Sequence, residues 1–363
     1  MTIAIFVLLV ALAAVNGGND VPKGVATLAG AGVTRYRTAI LWGTLTTAAG
    51  CLFSLTFADK LTELFSQGIV TARPTPAFAL AVLAGATTWV GLATITRLPV
   101  STTHAIVGAL VGAGLGLAPG AVAWGTLSGR VAQPLLLSIG IAYLTSFVLN
   151  LLPARVPECV CVDLEEVPLS PVPLKMVDGT LAASASSLPA PRIAIGSVAS
   201  CAVHGQRQRL ALTINSAHWL SGGATSFARG LSDAPKIVAL GAFALVPAGM
   251  TSTHILFVVA GAMAAGSVLG GMRVAKRLGE GVVKMSHVEG FRANLATAVL
   301  VGLGANRGLP MSTTHVSTGA IAGAAGRHLS RLSGRTLRDF ALAWTVTPVF
   351  AGVVAAGVYA LAK

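Results

Sequence analysis

This sequence predicts an all-α, polytopic membrane protein made of two related halves, and three observations predict it. First, hydrophobic residues make up 54% of the 363 and charged residues 10%, with a mean hydropathy of +0.78, far outside the soluble range. Second, apolar runs recur at 39–57, 77–95, 121–152, 255–271 and 337–362, most of them long enough to cross roughly 30 Å of hydrocarbon as helices. Third, two polar phrases are each written twice in the same order. Leu98-Pro99-Val100-Ser101-Thr102-Thr103-His104 returns as Leu309-Pro310-Met311-Ser312-Thr313-Thr314-His315, and Asn19-Asp20-Val21-Pro22-Lys23 returns as Ser232-Asp233-Ala234-Pro235-Lys236. The shift is 213 from Asp20 to Asp233 and 211 from Ser101 to Ser312, so a whole half is duplicated. A looser echo sets Pro134 against Pro348, at 214.

Helices are expected rather than barrel strands, because the runs are continuously apolar and rich in Leu, Ala and Gly, whereas barrel strands alternate over about ten residues. The 42 glycines suit close helix packing. The apolar start, 1–15, lacks a basic leader and runs straight into a repeated motif, so it reads as mature sequence. The chain divides into a first transmembrane repeat, 1–152, a polar linker, 153–208, and a second repeat, 209–363, with about five crossings in each repeat. The linker is rich in Pro and Ser, carries Glu158, Asp163, Glu165, Glu166 and Asp178, and is expected to be irregular. Cys51, Cys159, Cys161 and Cys201 lack paired zinc spacing and receive no role.

The formal charge of +13 reports topology rather than nucleic-acid binding, because Lys and Arg fall mostly in short loops. Matching loops differ in charge. Arg35 and Arg37 oppose an uncharged turn at 247–251. The balanced loop 59–73 opposes one with Arg273, Lys276, Arg277 and Lys284, and the uncharged 117–121 opposes 327–338 with four arginines. With basic loops cytoplasmic, the two repeats insert in opposite senses, both chain ends lie outside the cell membrane, and the linker lies inside. Inverted repeats are typical of secondary transporters, which bind substrate near the midplane with discontinuous helices or re-entrant hairpins.

The motifs supply the chemistry for such a site. Asn16-Gly17-Gly18-Asn19-Asp20 interrupts an apolar run, and Pro22 suits the first turn of a new helix, so a helix break is expected there. An aspartate inside the membrane is costly and by default functional. Pro99 and Pro310 disfavour helix just before them, and Ser and Thr cap the small-residue helices that follow. Hydroxyls and free backbone N–H groups then gather at a helix start, which favours an anion. Lys23 and Lys236 each stand three residues after an aspartate, where a local ion pair and a direct contact to the anion are both open. His104 and His315 are assigned a supporting role, with proton carriage as the alternative. The phrase Thr251-Ser252-Thr253-His254 lacks the proline and reads as a cap.

These residues resemble the PiT family of inorganic phosphate transporters, whose halves each carry a Gly-Ala-Asn-Asp-Val type motif and a later Ser-Thr-Thr-His segment. The resemblance implies an inverted-repeat symporter importing inorganic phosphate, driven by sodium in many members and by protons in others, with sulfate as the alternative cargo. It implies phosphate contacts from Ser101, Thr102, Thr103, Ser312, Thr313 and Thr314. Asn19, Asp20, Ser232, Asp233, Lys23 and Lys236 are left to couple the ion or touch the anion, with a sodium ion, where one couples, near Asn19, Asp20 and Asp233. The chain departs from the pattern at Pro22-Lys23-Gly24 and Pro235-Lys236-Ile237, at Ser232 in place of Asn, and at Arg229 in place of His. A fixed ammonium beside each aspartate weakens the case for sodium.

No catalytic residue is assigned. An intramembrane hydrolase needs one asymmetric nucleophile with its base, whereas here each candidate is duplicated. An anion channel is the other rival. The expected partners are the anion and the lipid bilayer, with no nucleic acid and no cofactor beyond a coupling sodium ion, and a homo-oligomer is compatible with all of this.

Overall fold

The structure, a computed structural model, describes residues 1–96, 98–152, 159–168, 187–197, 210–281, 285–326 and 334–363. Residues Met1–Leu152 and His218–Lys363 form one compact unit and Pro153–Ala217 another. In the first unit the apolar runs fold into helices α1 (Thr2–Gly30), α2 (Tyr36–Phe57), α3 (Asp59–Glu63), α4 (Pro76–Ile95), α5 (Thr102–Leu117), α6 (Trp124–Thr126) and α7 (Gln133–Leu151), followed after the linker by α8 (Ile214–Leu245), α9 (Ser252–Gly281), α10 (His287–Arg307), α11 (Thr313–Ala324) and α12 (Gly334–Ala362). Among the described residues six stretches are long and apolar enough to cross a membrane: α1, α2, α4, α6 running into α7, α9, and the 341–362 part of α12. The 16 residues of α5 and 12 of α11 rise only about 24 and 18 Å, short of the hydrocarbon core.

Helix partners are reciprocal. Helix α1 packs along α9 and α5 along α12, while α7 packs along α11. Glycines set these distances: a Cβ on Gly17 would meet the Met263 carbonyl and one on Gly266 the Ala14 carbonyl, and likewise Gly230 meets Thr47 and Gly50 meets Phe227. So α1 lies on the second long helix of the other half, and α8 on the second helix of the first half. In the other pair of contacts Gly108 and Gly112 meet Pro348 and Gly352, as Gly319 and Gly323 meet Ile139 and Tyr143. That register matches Pro348 to Ile139, not to Pro134. Pro134 instead stands in the first turn of α7, just after the π-helical stretch Leu127–Ala132.

Two expectations about the helices are corrected. The break at Asn16–Asp20 is absent: α1 and α8 run continuously through Pro22 and Pro235, as helices buried among other helices can. The chain breaks instead before Ser101 and Ser312. The loop expected around Arg273, Lys276 and Arg277 is the end of α9, whose 30 residues span about 45 Å and outrun the hydrocarbon. Residues 327–333 and Lys284 lie outside the described residues.

The linker is not irregular where it is described. Strands β1 (Cys159–Pro168), β2 (Ser187–Gly196) and β3 (Leu210–Thr213) form an antiparallel sheet in the order β2-β1-β3, with Cys159 opposite Gly196 on one side and Thr213 on the other. Alternation in Val160-Cys161-Val162-Asp163-Leu164 and Arg192-Ile193-Ala194-Ile195 suits strands. Because β3 pairs with β1, this unit runs past the boundary expected at 208. Cys159 is disulfide-bonded, a role the sequence did not assign it.

Candidate functional site

The two Ser-Thr-Thr-His phrases start α5 and α11 as their prolines and hydroxyls require. Ser101 Oγ accepts from the His104 N–H at 3.3 Å and Ser312 Oγ from the His315 N–H at 3.2 Å. The two caps meet, with Ser312 Oγ donating to Ser101 Oγ at 2.9 Å. Ser101, Thr102, Thr103, Ser312, Thr313 and Thr314 are all buried. The histidine rings stand 4.5 Å apart between centroids. His104 Nδ1 lies 2.7 Å from Ser101 Oγ, and His315 Nδ1 donates to the Leu135 carbonyl at 3.1 Å. His104 thus contacts its own capping serine, and His315 contacts the carbonyl of Leu135 on α7.

Against these caps lie the polar turns of α1 and α8. Asp20 is buried, accepting from Asn16 Nδ2 at 2.7 Å and Thr102 Oγ1 at 2.6 Å and pairing with Lys23. Lys23 also donates to Thr314 Oγ1 and to the Val100 carbonyl, each at 2.6 Å. In the other half Lys236 pairs with Asp233 at 2.9 Å, and donates to Ser232 Oγ at 3.0 Å and to Thr103 Oγ1 at 2.9 Å. Each ammonium therefore ties its own aspartate to a threonine of the opposite repeat. The local Asp–Lys pairing left open by the sequence is what forms. Asn19 braces the break before α5, donating to the Leu98 carbonyl at 2.9 Å and Thr94 Oγ1 at 3.2 Å and accepting from the Val100 N–H at 3.2 Å.

All the singled-out residues gather here. Thr313 is buried among them but makes no bond to Asp233 Oδ2 that would mirror the Thr102 bond to Asp20; that oxygen, like Asn16 Oδ1, has no hydrogen-bond partner. The sequence reading missed Asn16 and Arg229 as site residues. Arg229 is fully buried with Nη1 3.6 Å from Asp20 Oδ1, and the signal for both was the repeat itself, since the 213 shift that joins Asp20 to Asp233 also joins Asn16 to Arg229. A cavity of about 770 Å³ beside His104 has apolar walls including Val111, Leu127 and Val353, and none of the charged residues lines it. Among the described residues no group of three or more His, Cys, Asp or Glu could hold a metal ion.

The sequence profile of the phosphate transporter family matches residues 16–355. The chain belongs to that family. Among its relatives is a "Probable low-affinity inorganic phosphate transporter" of Rhizobium meliloti (strain 1021), 26% identical over 371 residues that cover 98% of this chain and 96% of the relative. Another is the chloroplastic inorganic phosphate transporter 2-1 of Arabidopsis thaliana, 26% identical over 403 residues, covering 91% of this chain and 67% of that one. A solved structure described as the sodium-dependent phosphate transporter superposes with a TM-score of 0.76 at 21% identity, covering 99% of this chain and 98% of that chain. It shows the same fold. Membership, with the six apolar spans, makes the chain a multi-pass membrane protein of a phosphate transporter family.

Proposed function

We propose that this protein is a secondary active transporter that imports inorganic phosphate across the cell membrane, its two repeats inserted in opposite senses and alternating around the Asp20 and Asp233 centre. The observation that carries this reading is the meeting of Ser101 and Ser312 at 2.9 Å. It brings two helix starts, one from each half, to a single point, where N–H groups, dipoles and hydroxyls favour an oxyanion. Ser101, Thr102, Thr103, Ser312, Thr313 and Thr314 turn their hydroxyls to the anion. His104 and His315 hold the caps. The relatives named as phosphate transporters support phosphate as the cargo.

Phosphate differs from sulfate at neutral pH in carrying a proton, which a buried acceptor can read. Asp233 Oδ2 and Asn16 Oδ1 lack a donor, and sites with unpaired polar groups reject ligands that cannot satisfy them. Sulfate is thereby disfavoured, though it remains the alternative cargo. Coupling is to protons: the Lys23 and Lys236 ammonium groups already stand against Asp20 and Asp233, where a sodium ion would otherwise balance the carboxylates, and an aspartate released from its lysine exchanges a proton. Sodium coupling is the second reading, favoured by the sodium-dependent structural neighbour, with Asn19, Asp20 and Asp233 as the ion's ligands.

Uptake of radiolabelled phosphate and sulfate by the purified protein in liposomes, with sodium and pH gradients varied separately, tests the whole reading. Concentrative phosphate uptake driven by inward protons and persisting without sodium is expected. Uptake that strictly needs sodium and ignores pH overturns proton coupling, sulfate uptake equal to phosphate overturns the specificity, and a non-concentrative leak makes the protein a channel. The basic loops support a cytoplasmic linker, and against this weighs the Cys159 disulfide, since such bonds persist in oxidising compartments. A protease site inserted in the linker, cut only from inside, supports the cytoplasmic placement.

A further inference from the structure

Arg229 has no part in the reading above, yet four observations single it out. It is a fully buried side chain at 0% exposure, the largest in the protein's interior among the described residues. None of its Nε, Nη1 and Nη2 atoms has a hydrogen-bond partner, so five N–H donors are held away from water without acceptors. It stands beside the charged centre: Nη1 is 3.6 Å from Asp20 Oδ1, too far to count as a hydrogen bond, and Asp233 follows four residues later on the same helix, on the same face. It is also the surplus charge. Lys23 pairs with Asp20 and Lys236 with Asp233, which leaves the guanidinium as a third cation over two carboxylates. A deeply buried cation without full compensation is unfavourable until an anion shares the site.

The scaffold does not require arginine here. The matching position of the first repeat is Asn16, which donates to its own Asp20 at 2.7 Å. In place of that local bond, Arg229 leans across to the aspartate of the opposite repeat and leaves Asp233 Oδ2 bare. Asp20 is thus the common neighbour of Arg229 and of Thr102 at the start of α5.

We infer that Arg229 grips the transported oxyanion, its planar fork taking two oxygens of the ligand in the bidentate fashion guanidinium favours. This deepens the phosphate-import reading and rests on it. The ligand that fits is a protonated tetrahedral oxyanion. It offers acceptor oxygens to Arg229 and to the threonine hydroxyls, it donates a hydrogen bond to Asp233 Oδ2 or Asn16 Oδ1, and as a monoanion it cancels the one surplus positive charge. The monobasic form of inorganic phosphate meets all three conditions.

The test compares wild type, R229Q and R229K as purified full-length protein, with inorganic phosphate as the probe. It reads the melting temperature with and without phosphate, and the KM and maximal rate of uptake in liposomes. Phosphate is expected to raise the melting temperature of wild type and to leave that of R229Q unmoved. KM should rise about a hundredfold in R229Q and about tenfold in R229K, which keeps the charge but loses the fork. Without phosphate, R229Q should melt no lower than wild type, because a buried charge that is only partly compensated has been removed. A merely structural arginine gives the opposite pattern, a phosphate-free R229Q that melts lower with KM unchanged, and that overturns the inference. Should R229Q fail to fold, R229K decides: wild-type KM and a wild-type phosphate shift in R229K overturn the inference, and a raised KM with a reduced shift supports it. If wild type itself neither binds nor imports phosphate, the proposed function fails; if wild type does both and R229Q matches it, only the assignment of Arg229 fails.

Discussion

The two halves of the charged centre share a backbone register but not a chemistry. Asn16, Asn19, Asp20 and Lys23 on α1 correspond to Arg229, Ser232, Asp233 and Lys236 on α8. The crossing bonds are mirrored, with Lys23 on Thr314 at 2.6 Å and Lys236 on Thr103 at 2.9 Å. The carboxylates are not. Asp20 holds Asn16, Thr102 and Lys23, while Asp233 holds Lys236 and keeps Oδ2 bare. A duplicated scaffold preserves the positions at which polar groups can sit and lets the groups diverge, so one carboxylate has both oxygens bonded and the other keeps one bare.

The sharpest way to break that contrast is to neutralise each aspartate in turn. Asp20→Asn strips the counter-charge from Lys23 and from Arg229, both buried, and breaking a buried pair by removing one partner costs about 3–5 kcal/mol. Its uptake should fall at least about a hundredfold, and its melting temperature should drop clearly. Asp233→Asn strips the counter-charge from Lys236 alone and should cost about 3 kcal/mol, the low end of that range. That variant should still fold and should lose the dependence of uptake on a proton gradient. Equal losses of stability in the two variants would mean that the asymmetry has no energetic content.

The parts of this site that were legible in the sequence are those that a local rule dictates. Pro99 with Ser101, and Pro310 with Ser312, forced helix starts, and the caps formed where the residue types required them. The Asp–Lys spacing was legible because three residues along a helix bring side chains together. The helix break at Asn16–Asp20 was misread because Gly and Pro are breakers only where freed backbone groups meet water, and here that turn is buried against other helices. Arg229 was noticed as an odd residue and given no role, since burial without a partner is a tertiary property that a motif does not contain. The linker strands were hidden by composition, the Pro and Ser content outweighing a short alternation from Val160 to Leu164.

If only the chemistry has diverged, then the packing beneath it should still behave symmetrically. Gly17 faces the Met263 carbonyl and Gly230 the Thr47 carbonyl, mates in the repeat and both contacts to backbone that has little freedom to yield. Gly17→Ala and Gly230→Ala should each destabilise the protein by about 1–3 kcal/mol, to a similar degree, as read from thermal unfolding in detergent. Tolerance of one and not the other would show that the scaffold too has lost its symmetry.

The most local contrast separates the two threonines that follow the capping serines. Thr102 donates to Asp20 Oδ2 at 2.6 Å. Its mate Thr313, equally buried, does not reach Asp233 Oδ2. Valine keeps the shape of threonine and removes the hydroxyl. Thr102→Val therefore deletes a hydrogen bond to a charged acceptor and should cost about 1.5–3 kcal/mol in the phosphate-free protein, whereas Thr313→Val, with no such bond to lose, should cost under about 0.5 kcal/mol. The order should narrow when phosphate is present, because on the proposed reading both hydroxyls then bond the same anion, and Thr313→Val should lose part of the phosphate-induced rise in melting temperature that wild type shows. Thr313→Val with a full wild-type rise would confine anion binding to the first repeat and its arginine partner, and the site would then be asymmetric in its ligand contacts as well as in its carboxylates.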